Sequence, residues 1–239
     1  MFNPKSLLFD SDGVVVDSEI ARDEILRKVL LDLGVQYQRD RTKPKLSGKS
    51  ELEMMNILIK EYELQVSPQE ISAMRKEALG DLYQNKVGFV PDFLNLYHSL
   101  KNNFNAKIAI VSGCETSLFR GVDRRLKIFE LADGNVFLSH DLSIKSKPSP
   151  DIFLYALKHM DVKPEDSVVF EDAPNGIVAS IAAEIPKTVA ITRTFQEDIL
   201  RRETMSLSGI PDSTLDRKVL FIPDYSQKSI DRVLEYMRM

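Results

Sequence analysis

The sequence predicts an α/β protein: a doubly wound, mainly parallel sheet with a small all-helical domain inserted after the first strand. Three observations carry that prediction. Short apolar runs recur and each stops at a polar residue: Ser6 to Phe9 before Asp10, Lys107 to Val111 before Ser112, Ser167 to Phe170 before Glu171. Runs of this length suit strands buried on both faces of a parallel sheet. Segments of helical spacing separate them, such as Phe153, Ala156, Leu157 and Met160, or Ile230, Val233, Leu234 and Met237, and such alternation implies crossovers that cover both faces. One stretch, from about Asp17 to Leu100, breaks the alternation and holds only helical patterns.

Taken in order, Ser6 to Phe9 is the first strand. The insert opens with Ile25, Leu26, Val29, Leu30 and Leu33, closed by Gly34 as a C-terminal cap. A second helix follows in Leu52, Met55, Leu58, Ile59 and Tyr62, where Ser50 and Glu53 have capping-box spacing. The third has Ser67 as N-cap, Pro68 in its first turn, Glu70 completing the box, and Ile71, Met74, Ala78 and Leu82 as its buried stripe. Crossings near Val14 to Asp17 and Val87 to Val90 join insert and sheet, which divides the chain into a core of residues 1–16 and 88–239 and a helical domain of residues 17–87. Val136 to Leu138, Thr188 to Ile191 and Val219 to Ile222 supply three further strands. Arg193 to Arg217 reads as a short helix around Phe195 to Arg202 followed by a polar loop with Gly209 and Pro211.

Composition narrows the function. With 239 residues, 43% hydrophobic and 28% charged, the chain can bury a core without disulfides or a structural metal. A single cysteine, Cys114, closes no intramolecular bridge and points to a reducing, cytoplasmic setting. A net charge of −4 lacks the basic excess that nucleic acid demands. The apolar runs are far shorter than a membrane span, and Lys5 is followed by too few apolar residues for a secretory signal. The chain is expected to be a monomer or weak homodimer.

Acids mark the candidate site. Asp10 and Asp12 follow the first strand at its carboxyl end, where open parallel sheets place ligands, and Gly13 allows a sharp exit. Glu171 and Asp172 follow a second apolar strand in the same way. Four acids would meet at one sheet edge. Like charges 4 Å apart repel by about 4 kcal/mol at an effective dielectric near 20, so the cluster needs a cation. An all-oxygen donor set selects a hard divalent ion, and Mg²⁺ tolerates a few carboxylates, waters and a phosphate. Ser112 and Gly113, after the middle strand, offer a hydroxyl and an approachable amide to an anion. Lys147 precedes Pro148, Ser149 and Pro150, with Ser149 expected as the N-cap that fixes its loop. His98, His140 and His159 show no ligand spacing, and Cys114 is expected to be a packing thiol.

These segments together resemble the haloacid dehalogenase superfamily of phosphotransferases, over nearly the whole chain. The first motif is similar to Asp10-Ser11-Asp12-Gly13-Val14-Val15-Val16-Asp17-Ser18-Glu19, the second to Ser112, the third to Lys147-Pro148, and the fourth to Glu171-Asp172 with Asn175-Gly176 and Ala179, Ala182 and Ala183 behind. The resemblance implies a Rossmann-like core with a helical cap, and a Mg²⁺-dependent phosphatase whose partner is a small phosphorylated metabolite, a phosphate monoester such as a sugar phosphate. It implies Asp10 as the nucleophile that becomes an aspartyl-phosphate, Asp12 as general acid and base, and Ser112 and Lys147 as holders of the phosphoryl oxygens. Asp10, Asp172 and the backbone carbonyl of Asp12 would bind Mg²⁺, with Glu171 at or just behind the ion.

Residues 113–146 are too few to hold a cap at the superfamily's second insertion point, so the helical insert must close the site. Gly48-Lys49-Ser50 is the expected substrate reader, Lys49 above all, with Arg75 and Lys76 behind it. Glu184 stands where relatives commonly have glycine, at a possible cost of about 1 kcal/mol. The segment Asp17-Ser18-Glu19 lacks the nearby histidine of sugar-phosphate mutases, which leaves a phosphoglucomutase-like transferase as the alternative enzyme. Dehalogenases and phosphonate hydrolases lack an acid where Asp12 stands. A sensor that binds a sugar phosphate without turnover is the alternative from another class.

Overall fold

Alternating apolar residues on each strand feed two separate cores. Leu7 and Phe9 of the first strand pack into one cluster while Leu8 between them packs into the other, as the two-residue period of a strand buried on both faces requires. The computed structural model describes residues 2–46, 51–142 and 144–239. Its strands are β1 (Ser6–Phe9), β2 (Lys107–Ser112), β3 (Val136–Leu138), β4 (Ser167–Glu171), β5 (Lys187–Ile191) and β6 (Val219–Ile222). They form one parallel sheet in the order β3-β2-β1-β4-β5-β6. The direction of winding reverses beside β1, so ligands are expected at the carboxyl ends of β1 and its neighbours.

The helices are α1 (Glu19–Asp32), α2 (Arg39–Leu46), α3 (Glu51–Tyr62), α4 (Pro68–Asn85), α5 (Phe93–Asn103), α6 (Thr116–Leu126), α7 (Ile128–Leu131), α8 (Ser139–Leu142), α9 (Asp151–Met160), α10 (Pro174–Ala182), α11 (Glu197–Ser208), α12 (Asp212–Lys218) and α13 (Gln227–Arg238). Four of them, α1 to α4, separate β1 from the α5–β2 unit. The α4 start has the full capping box: the Ser67 hydroxyl accepts from the Glu70 amide, and the Glu70 carboxylate accepts from the Ser67 amide. The expected box at Ser50 lies outside the described residues. Gly34 takes φ +82 just past α1, and the amide of Val35 donates to Leu30, which closes that helix as expected.

Three readings are corrected. The helix α2 is absent from the periodicity because its sequence is almost wholly polar; ion pairs attach it, Lys43 to Asp23 at 2.7 Å and Lys45 to Glu61 at 2.8 Å. The segment after β5 carries two helices, α11 and α12, instead of one helix and a loop; Gly209 ends the first at φ +69. Ser149 does not cap α9. Pro150 is the N-cap residue, and the Ser149 hydroxyl donates to the Asp151 carboxylate instead.

The two strand-to-helix crossings lie side by side. Val16 bridges Phe89, the Asp17 amide donates to Gly88 and the Val90 amide donates to Val15. Among the described residues no helix is long and apolar enough to cross a membrane.

Candidate active site

Parallel pairing decides which residues meet. Phe9 is in register with Phe170 on one side and Ile110 on the other, and the pairing continues one step further, with the Asp10 amide donating to the Phe170 carbonyl at 2.9 Å. Asp10 therefore emerges beside Glu171, with Asp172 and Ser112 one residue beyond. Carboxylate oxygens of Asp10, Glu171 and Asp172 all lie within 4.8 Å of one another. Residues separated by about 160 positions in the chain thus share one buried spot.

Lys147 closes the nest from a third loop. Its Nζ donates to Asp10 Oδ1 and to Glu171 Oε1, both at 2.5 Å, and to the Val111 carbonyl at 3.1 Å. Burial works against the charged lysine, but Asp10 and Glu171 outweigh it and raise its pKa. Glu171 also accepts from the amides of Asp172 and Ala173, which fixes its orientation. Asp172 accepts from the Thr194 hydroxyl at 2.7 Å. Two glycines make room for these acids. A Cβ on Gly13, which sits at φ +81, or on Gly176 would collide with the carboxylate of Asp172 or Glu171 respectively.

One ammonium does not balance three carboxylates. Burial pushes the Asp10 carboxyl up to about 7, with Lys147 opposing and Glu171 adding to the rise. Burial likewise raises Asp172 well above the ordinary range, reinforced by Glu19, Glu171 and Asp10. Carboxylates held at such a cost are relieved by a dication, and the oxygen-only donor set fits a hard one. The Gly13 contact also places the Asp12–Gly13 backbone against Asp172, where the Asp12 carbonyl is the fourth expected donor.

The Asp12 side chain is turned away from that cluster. Its carboxylate accepts from the Ser18 hydroxyl and the Tyr83 hydroxyl, both at 2.5 Å, and from Arg22 Nη2 at 2.7 Å. Arg22 Nε in turn donates to the Tyr83 oxygen at 2.7 Å. Ser112 is buried at the end of β2 and accepts from the Cys114 amide at 3.1 Å. Gly113 is exposed, and the nearest atom to a Cβ there, Ser139 Oγ, is 3.9 Å away, so packing does not demand glycine. Lys76 does not line the cavity above the acids; it is exposed and paired with Glu115 at 2.9 Å. Lys49 lies outside the described residues. Cys114 is buried, and its burial raises the thiol pKa.

Sequence reasoning missed Thr194, Arg22 and Tyr83. Tyr83 reaches Asp12 across 71 positions and left no local signal. Arg22 did leave one: it stands a single turn beyond Ser18, so the two share a helix face.

Fold and site together define a doubly wound α/β protein whose sheet edge carries a carboxylate–lysine nest, equipped to hold a dication and an anionic group side by side. The chain belongs to the haloacid dehalogenase-like hydrolase family, whose model matches residues 7–191. It is 32% identical over 188 residues to a Saccharomyces cerevisiae protein described as a probable pseudouridine-5'-phosphatase, covering 74% of this chain and 78% of that one. It is 28% identical over 180 residues to the fructose-1-phosphate phosphatase of Escherichia coli, covering 74% and 91%. A haloacid dehalogenase-like protein of unknown function from Agrobacterium tumefaciens shares the fold at a TM-score of 0.77 and 20% identity, over 100% of both chains. So does a family hydrolase from Deinococcus radiodurans with bound phosphate and sodium, at 0.74 and 20%, over 100% and 98%.

Proposed function

We propose that the protein is a Mg²⁺-dependent phosphatase that hydrolyses a small phosphate monoester, a sugar phosphate, through an aspartyl-phosphate on Asp10. The observation that carries this reading is the nest itself, with Asp10, Glu171 and Asp172 converging within 4.8 Å and Lys147 bridging two of them. The phosphatase names of the relatives agree with it.

In this reading Asp10, Asp172 and the Asp12 carbonyl hold Mg²⁺, and Glu171 orients the set. Mg²⁺ supplies charge neutralisation for a bound phosphoryl group. The Asp10 carboxylate attacks phosphorus in line; the new bond is Asp10 oxygen to phosphorus, and the bond to the leaving alkoxide breaks. Ser112 and Lys147 bind the phosphoryl oxygens and stabilise the charge spread over them. Asp12 gives its proton to the alkoxide, then takes one from the water that attacks phosphorus and frees Asp10. To do this it must leave Ser18, Arg22 and Tyr83, all of which belong to the helical insert. Residues 17–87 act as a cap whose movement excludes water and releases Asp12 together.

Arg22, not a histidine, faces Asp12, which favours hydrolysis over mutase chemistry. The test is phosphate release from a panel of sugar phosphates and other monoesters. Release that requires Mg²⁺, stops with EDTA and is abolished in Asp10→Asn supports the phosphatase. Isomerisation without release, dependent on a bisphosphate primer, would point to a transferase, and binding without either to a sensor.

A further inference from the structure

Above the acid nest lies a cavity of about 250 Å³, with Asp172 and Thr194 at its floor and Arg22, Lys43 and Arg75 on the side of the helical insert. Two of these cations are already answered. Arg22 is bound to Asp12 at 2.7 Å, and Lys43 to Asp23 at 2.7 Å and Glu19 at 3.1 Å. Arg75 is answered only in part. It is only 8% exposed, and among the described residues its buried Nε has no hydrogen-bond partner. Its counter-charge is Glu51, whose Oε1 stands 3.5 Å from Nη1, belongs to a side chain 42% exposed, and already accepts from the Ser72 hydroxyl at 2.7 Å.

A guanidinium keeps its charge at any working pH, so an incompletely paired one in a buried wall represents a desolvation cost that a ligand can relieve. The titration behaviour agrees: burial pulls the Arg75 pKa below the ordinary arginine value, Glu51 offsets this only in part, and Arg22 adds to the fall. The rest of the lining mixes the apolar Leu26, Met54 and Phe195 with Glu19 and Asp23, two acids that Lys43 holds at 3.1 and 2.7 Å and that leave Arg75 as the cation open to a further anion. The edge of the guanidinium carrying Nε is the one that binds two oxygens in parallel, a geometry matched to carboxylate and phosphate.

We propose that Arg75 is a specificity-determining residue that binds a second anionic group, a carboxylate or a phosphate, carried on the leaving-group side of the substrate. The inference rests on the phosphatase reading for where the reacting phosphate sits, with that phosphate at Asp10 and the second anion in the cavity above it. A neutral hydroxyl at this position would leave the buried charge unanswered. Substrates that carry one anion only are therefore handled less well than those that carry two.

The test compares matched esters in the presence of Mg²⁺: phosphoglycolate against hydroxyethyl phosphate for the carboxylate, and fructose 1,6-bisphosphate against fructose 1-phosphate for the second phosphate. Wild type is expected to favour the doubly anionic member in kcat/KM, with the difference lying mainly in KM, and Arg75→Gln is expected to shrink that ratio at least threefold in one pair. The pair affected names the anion. Arg75→Lys, which keeps the charge but loses the fork, is expected to fall between the two and guards against a glutamine variant that fails to fold. Calorimetric binding of the same pairs to Asp10→Asn, with and without Arg75→Gln, reads the subsite without turnover. A ratio that moves less than threefold in both pairs, by kinetics and by calorimetry, overturns the proposal. A wild type that hydrolyses none of the esters instead sinks the phosphatase reading, and calorimetry alone then decides on Arg75.

Discussion

Replacing Asp172 by asparagine separates the stability of the acid nest from its function. The carboxylates of Asp172, Asp10 and Glu171 stand within 4.8 Å, and at an effective dielectric near 20 each like-charge pair at that spacing costs about 3 kcal/mol. Removing the Asp172 charge cancels two such repulsions, and Glu19 adds a further one. Because burial and its acidic neighbours already raise the Asp172 pKa, part of that repulsion is relieved by protonation, and a gain of about 1–3 kcal/mol remains. Asparagine keeps the shape and can still accept from Thr194. In EDTA, Asp172→Asn should melt about 2–12 °C above wild type, at the ~2–4 °C per kcal/mol usual for a chain of this size. Added Mg²⁺ should raise the wild-type melting temperature and leave the variant unmoved, with activity lost. A variant that melts below wild type in EDTA, or that keeps the Mg²⁺-induced rise, would refute the reasoning.

Three further outcomes follow from the geometry. Asp10 titrates near 7 in the folded protein, above its unfolded value, so its contribution to stability is complete below about pH 4 and is lost as pH rises through 7; melting in EDTA should show that loss, and Asp10→Asn should flatten it. Glu184 holds φ +61 at the end of α10, where its amide donates to Ile181 and the Ile185 amide to Ser180, a Schellman closure that favours glycine; Glu184→Gly should gain about 1 kcal/mol by denaturant melting with activity unchanged. Gly176→Ala should displace the Glu171 carboxylate from Lys147, costing about 1–3 kcal/mol of stability and most of the turnover, measured by melting and phosphate release.

The sheet was legible because each strand is an apolar run that ends abruptly. Leu7 to Phe9 before Asp10 and Val168 to Phe170 before Glu171 mark both the strand and the position of the acid beyond it, so the same pattern that locates the sheet locates the nest. Lys147 was legible only through its motif, since nothing in the local sequence says which carboxylates it will meet. The polar helices were illegible for the opposite reason. In α12 only Leu215 is buried, and α2 is fastened by ion pairs, so neither writes an apolar stripe. Arg75 shows the limit of reading single residues: Lys76 beside it is the more exposed cation and pairs with Glu115, while the buried neighbour faces the cavity.

Everything in the proposed chemistry depends on Asp10 forming a covalent bond to phosphorus. Quenching wild-type turnover with borohydride, which reduces an acyl phosphate to the alcohol, and mapping the peptides by mass spectrometry reads this directly. The expected product is homoserine at position 10, found only when ester and Mg²⁺ are both present. Turnover that continues with residue 10 recovered solely as aspartate, or with the reduced residue elsewhere in the chain, would contradict it.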